Sequence, residues 1–455
     1  MALRIGLMFL AVFLLLWTPA TAQDLPPDQQ LPPVASPTHR VDVNQLPVLD
    51  TTPAFNPDVA TQQWLARLSP EARAKSDAYA EGGYMLQFVD LTYGLGVAAL
   101  LLWLQISARI RDWAEELTRG RAWQVMLYAV VYIAAITVMT LPLSIYEGYV
   151  REHDFGLSNQ TFLQWAGDFA TMFAVTLAAA VIFLPLLYAA IRAARQAWWL
   201  WGAGLAILFM IFMLVIYPVA IAPLFNHYSP LPETPLKQQI LSLARANGVP
   251  ADTVWVADES RQSSRISANV SGFLGTTQIS LNDNLLNQGT TDEVLAVVGH
   301  EMGHYVLGHT LRMVLLFGLV ILAGFGFVAL GCRHATDLFG GNWQVRQPDD
   351  VAGLPLIVAL MSIFLFLAMP VTNSITRTTE READLFGVNA VRKPDAFASV
   401  VLKLSSYRKL DPGPVEEAIF FDHPSGRNRI AMMMNWKAEH IRDLDIRDSV
   451  RDNPH

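Results

Sequence analysis

The sequence is poor in cysteine, poor in charge and without any basic excess. One cysteine, Cys332, stands among 455 residues, so neither an internal disulfide framework nor a cysteine-built zinc cage can form. Charged residues make up only 16% of the chain, against about 25% in an ordinary soluble domain. A net charge of −8 offers no cationic face to displace counterions from phosphates, which excludes nucleic acid as the main partner. There is no Gly-rich phosphate loop and no repeat of solenoid period. What the chain has instead is apolar residues, 53% of the total, gathered in uncharged blocks long enough to cross a bilayer.

Residues 1–22 carry Arg4, an apolar run from Ile5 to Trp17 and then Thr18-Pro-Ala-Thr-Ala22, the pattern of a secretory signal peptide cleaved after Ala22. The alternative is an uncleaved first membrane helix. Residues 23–60 are Pro-rich without periodicity, and 23–80 reads as an exported linker with a short helix. Six uncharged windows follow: 91–108, 122–146, 169–191, 196–226, 313–332 and 351–376. At a rise of ~1.5 Å per residue each can cross a hydrocarbon core of ~30 Å. They group as a four-helix membrane region, 81–226, and a pair, 313–376, that separates two polar stretches, 227–312 and 377–455. Arg109, Arg111, Arg119 and Arg121 follow the first window, and Arg192 and Arg195 follow the third. The positive-inside rule makes those loops cytoplasmic and puts both polar stretches on the exported, periplasmic side.

In the first polar stretch Pro235–Ala246 reads as a helix, Thr253–Ala257 and Gln278–Leu281 as strands, and 291–309 as a helix opened by a Thr290/Glu293 capping box. On that helix lies His300-Glu301-Met302-Gly303-His304. Two histidines one turn apart share a face and can hold one Zn²⁺, with the neighbouring carboxylate within reach of a zinc-bound water. A third protein ligand is needed. A second histidine motif does not supply it, because Leu307 and Thr310 occupy the places where glycine and histidine would be required. Glu380-Arg-Glu-Ala-Asp384 offers one instead: Glu380 and Asp384 are one turn apart, so either can bind zinc while the other accepts the outer N–H of a ligating histidine. His309 lies on a different face of a continuous helix from His300 and reads as polar packing, and Met432-Met433-Met434 reads as a helix packing patch.

These motifs, with His423-Pro-Ser-Gly-Arg-Asn-Arg429, Asp154-Phe-Gly-Leu-Ser-Asn-Gln-Thr161 and Ile279-Ser-Leu-Asn-Asp-Asn-Leu-Leu286, resemble the type I CAAX prenyl proteases, membrane-embedded zinc metalloendopeptidases. The resemblance spans roughly residues 75–437. It implies His300, His304 and Glu380 as ligands of one Zn²⁺, Glu301 as general base, and Asp384 as the partner of a zinc histidine. It implies that His423 and Arg429 steady the substrate carbonyl and the tetrahedral intermediate, and that an edge strand containing Ser267, Ala268 and Asn269 binds substrate backbone. Ser267 stands where the family often has asparagine. The expected fold is an all-α multi-pass membrane protein: a helical bundle with an inserted, mainly helical zincin domain and a small substrate-binding β-sheet. The expected activity is hydrolysis near the C-terminus of a membrane-associated or lipidated polypeptide, with the lipid bilayer as the second partner. The alternatives are a quality-control protease of the HtpX type and, from another class, a non-catalytic transporter or scaffold.

Overall fold

The computed structural model describes residues 55–194, 196–271, 277–347 and 349–452. The expected signal peptide and most of the Pro-rich linker lie outside these residues, as do Arg195 and Gly272. The described chain is mainly helical. Asn56 caps α1 (Pro57–Leu65) through its side chain, and Ser69 with Pro70 opens α2 (Pro70–Trp103). Then follow α3 (Ile106–Leu117), α4 (Arg121–Ile145), which continues through a wide turn to Asp154, α5 (Phe162–Ala194) and α6 (Trp198–Ile216). The polar stretch contributes β1 (Tyr228–Pro230), α7 (Pro235–Ala246), β2 (Val254–Ala257), β3 (Ala268–Ser271), β4 (Gln278–Asn282), α8 (Asp283–Gln288) and α9 (Thr291–Val306). The long helices α10 (His309–Trp343) and α11 (Leu354–Val391) come next, then α12 (Pro394–Leu404), α13 (Pro414–Phe420) and α14 (Gly426–Asp452).

Among the described residues six helical segments are long and apolar enough to cross a membrane: Pro70–Trp103, Arg121–Asp154, Phe162–Ala194, Trp198–Leu224, His309–Trp343 and Val351–Val391. Their number agrees with the six windows, although the helices extend past the uncharged windows at most of their ends, and two of the differences are instructive. The first helix begins at Pro70 and stops at Trp103, because Gln105 adopts a left-handed backbone at φ 55° and starts a separate helix, α3. The fifth runs on to Trp343, so Cys332 sits inside a helix rather than at its end. Tyr128, Tyr132, Tyr188, Met210, Phe317 and Phe325 are buried between the spans, while Ile182, Leu208, Leu319 and Leu367 stay exposed on outward faces. The Arg-rich ends are tied together: Arg111 reaches Asp350 at 2.6 Å, and Arg346 bonds Asp112 and Glu115.

At the opposite end stands a four-stranded sheet of order β1-β2-β4-β3, parallel between β2 and β4 and antiparallel elsewhere. Alternation along β4 buries Ile279 and Leu281 against α7 and α9 and turns Ser280 toward a cavity. The capping box is present, with Thr290 Oγ1 accepting from Glu293 N and Glu293 Oε2 accepting from Thr290 N.

Backbone contact sets the crossing of α9 and α11. A Cβ on Gly387 would lie 2.8 Å from His300 N, and one on Gly303 would lie 3.0 Å from Ala383 Cα. Only small residues permit this approach, which sets His300 and His304 directly against Glu380 and Asp384.

Candidate metal centre and substrate cavity

α9 projects His300 and His304 from one face, and α11 projects Glu380 and Asp384 toward them. Nε2 of His300 and Nε2 of His304 lie 3.2 Å apart. Glu380 Oε2 is 3.1 Å from the first, and Oε1 is 3.5 Å from the second. One donor atom from each of the three residues falls within 4.8 Å of the others. Glu380 Oε2 is buried with no hydrogen bond. Two facing imidazole nitrogens and an orphaned carboxylate oxygen fit a cation ligand set better than they fit one another.

The surroundings fix each donor. Asp384 Oδ1 lies 2.8 Å from His300 Nδ1 and accepts its N–H, which leaves Nε2 as the free lone pair. Burial works against the His300 imidazolium, but the hydrogen bond to Asp384 and the Glu380 carboxylate beside the ring outweigh it and lift the group to about 10. The two carboxylates thus demand a positive charge at this spot, which a proton or a metal ion satisfies. Burial pushes His304 down to about 3, keeping it a neutral donor. Burial also raises the Glu301 carboxyl, to about 7.

His309 does not behave as mere packing. The helix expected over 291–309 breaks at Gly308, whose φ of 61° ends α9 and lets α10 start in a new direction. That turn brings His309 Nδ1 within 3.0 Å of His304 Nδ1. His309 Nε2 in turn meets Glu382 Oε2 at 3.2 Å, and Arg312 Nη2 holds the same oxygen at 2.8 Å. Gly308 was the signal in the sequence, since a glycine after an apolar helix marks its left-handed end.

His423 enters from the loop before α14, its Nε2 3.2 Å from Glu380 Oε2 and its Nδ1 2.8 Å from Asp422 Oδ1. Arg429 is placed differently from the expectation. Nε and Nη2 bind Asp384 at 2.8 and 2.6 Å, and this pairing raises the guanidinium further despite burial. Arg429 therefore braces Asp384, although its side chain also lines the cavity.

The cavity holds about 750 Å³ and is lined by Glu301, His304, Glu380, His423 and the inner face of the sheet. Ala268 and Asn269 line it on β3, which among the described residues is an edge strand paired only with β4. Asn282 N donates to Ser267 O, so Ser267 and Asn269 turn their backbone groups toward β4 while Ala268 and Val270 present theirs at the free edge. Ser267 N is also engaged, by Asn282 Oδ1 at 3.0 Å.

Residues 230–437 match the profile of peptidase family M48, and residues 55–227 match the CAAX prenyl protease N-terminal region of five membrane helices. CAAX prenyl protease 1 of Saccharomyces cerevisiae is 30% identical over 65% of this chain and 69% of its own. The chain belongs to peptidase family M48, among its CAAX prenyl proteases. The "Uncharacterized metalloprotease YhfN" of Bacillus subtilis is 29% identical over 80% of this chain and 85% of its own. The crystal structure of S. mikatae Ste24p shares the fold, with a TM-score of 0.67, 23% identity and coverage of 83% of this chain and 94% of that one. This M48 peptidase is a multi-pass membrane metalloprotease.

Proposed function

We propose that the chain is a zinc endopeptidase that hydrolyses peptide bonds near the C-terminus of membrane-associated, lipidated polypeptides. The convergence of His300 Nε2, His304 Nε2 and the buried Glu380 carboxylate beside Glu301, inside one cavity, carries this reading. His300, His304 and Glu380 are the ligands. Zinc held by them supplies Lewis-acid polarisation of a carbonyl and brings the pKa of a water toward ~7.

The chain's own groups do the rest. Glu301, its carboxyl raised by burial to about 7, accepts the proton of the attacking water and passes it to the leaving amide nitrogen. Asp384, braced by Arg429, keeps His300 in the tautomer that points Nε2 at the ligand position. Asp422 holds His423 through Nδ1 and turns its Nε2 into the cavity beside Glu380, where the ring steadies the substrate carbonyl as the oxyanion develops. The free edge of β3 pairs with substrate in extended form, as edge strands do with peptides.

The names of the relatives point to prenylated C-terminal sequences, and the spans that bound the cavity suit a lipid-modified chain. We read the site as facing the exported side; the Arg-rich loops at the end opposite the metal ligands support this through the positive-inside rule.

Hydrolysis of a farnesylated C-terminal peptide beside its unprenylated twin, by zinc-loaded protein, tests the reading. Preference for the lipidated peptide, lost in Glu301→Gln without loss of zinc, is expected. Equal cleavage of both would point to a general quality-control protease, and turnover by Glu301→Gln would sink the mechanism.

A further inference from the structure

Next to the substrate cavity lies a second one of about 240 Å³. Arg408, His423 and Arg429 line both, so the two communicate beside the metal ligands. The wall of the second carries four cations, Arg151, Arg408, Lys409 and Arg429, and one acid, Asp422.

Two of those cations are neutralised. Lys409 meets Glu81 at 2.7 Å and Glu416 at 3.0 Å, and Arg429 meets Asp384 at 2.6 Å. Asp422 is bonded to His423. Arg151 and Arg408 are left: among the described residues neither forms a direct ion pair, and Asp422, committed to His423, attracts Arg408 only from beyond contact distance. Glu152, next to Arg151 in sequence, is engaged by Arg265 and by the Tyr79 hydroxyl, each at 2.7 Å.

Arg151 is only 9% exposed. It donates to the Tyr79 carbonyl and lies 3.9 Å over the Tyr79 ring. Arg408 is half-buried between the two cavities, 5.9 Å from the Tyr407 ring centre. Removing a guanidinium from water without a counter-charge is costly, and the cost is offset when an anion arrives.

We propose that the second cavity receives the C-terminal carboxylate of the peptide substrate, with Arg408 and Arg151 as the recognising cations. The proposal rests on the endopeptidase reading and supplies its specificity: a carboxylate anchored here directs the metal centre to a bond close to the chain's end.

The test compares a farnesylated peptide bearing a free C-terminal carboxylate with the same peptide as its C-terminal amide. Charged hydrogen bonds lost from such a site correspond to about 10- to 100-fold in affinity, so kcat/KM for the acid should exceed that for the amide by this factor, through KM. In Arg408→Gln the ratio falls toward one, and in Arg408→Lys part of it returns. A parallel arm measures binding of both fluorescent peptides to the Glu301→Gln background, which needs no turnover. Equal binding of acid and amide there, or a preference that survives Arg408→Gln, overturns the proposal. Preferential binding of the acid without cleavage of either peptide by the Glu301-containing enzyme would overturn the endopeptidase reading and leave the carboxylate site standing.

Discussion

Nδ1 of His304 faces Nδ1 of His309 at 3.0 Å, so one of the two rings must carry the proton between them. If His304 presents Nε2 to the metal, the proton sits on its own Nδ1 and His309 is the acceptor. His309 then donates from Nε2 to Glu382, which Arg312 holds. Removing such a support for a ligand histidine weakens metal binding about 10- to 100-fold. His309→Ala should show a loss of that size in chelator competition, with Glu382→Gln losing less. Unchanged zinc affinity in His309→Ala would reduce the contact to packing.

The α9–α11 crossing has no room for a methyl group. Gly387→Ala places its Cβ against the backbone of His300, and overpacking of this kind costs about 1–3 kcal/mol. A lowered melting temperature together with weakened zinc binding is expected. A variant that melts earlier but holds zinc normally would show that the crossing adjusts without moving the ligands.

Glu293 predicts an acid limb to stability. Burial alone would raise its carboxyl, but hydrogen bonds from Lys403, Ser399 and the Thr290 N–H prevail and hold it below 4.5. The folded value lies below the unfolded one, so the stabilisation is complete above about pH 4.5 and fades as pH falls through the folded value. Glu293→Gln should lower stability near neutrality by about 1–2 kcal/mol and flatten the decline below pH 4.5. Thermal melts of both proteins from pH 7 to 3 read this directly, and parallel curves would contradict it.

Sidedness can be read with single cysteines in a Cys332→Ala background. Arg119 and Glu233 are both exposed and lie at opposite ends of the bundle. An impermeant maleimide applied to intact cells should label Glu233→Cys and spare Arg119→Cys. The reverse pattern would put the metal centre in the cytosol.

Much of this was legible in the sequence because it depends on local spacing. Histidines one turn apart share a helix face wherever the helix goes, and an uncharged block of some twenty residues has few alternatives to a span. The capping box at Thr290 fixed the start of α9 for the same reason. What was illegible depends on contacts between distant segments. β1 is three residues long and ends in proline, too short for alternation to register. The bracing of Asp384 by Arg429 joins positions 45 apart, and the lack of a direct ion pair at Arg151 and Arg408 is a property of a cavity wall rather than of a motif. The break at Gly308 lay between the two cases: a local signal was present, but the continuous apolar pattern of α9 and α10 masked it.

Gly308 has one further consequence. Only Leu307 and Gly308 separate α9, which bears His300 and His304, from the membrane-spanning α10, and Glu380 rides on the last turns of another span, α11. The ligand triangle is thus mounted on the tips of two bilayer-crossing rods. A span longer than the local hydrocarbon layer tilts to fit it, and tilting one rod against the other opens or narrows the triangle at its tip. Membrane thickness becomes a mechanical setting of the metal centre. Zinc dissociation should run at different rates in nanodiscs of short and long acyl chains, whereas matched rates would mean that the glycine-packed crossing absorbs the strain.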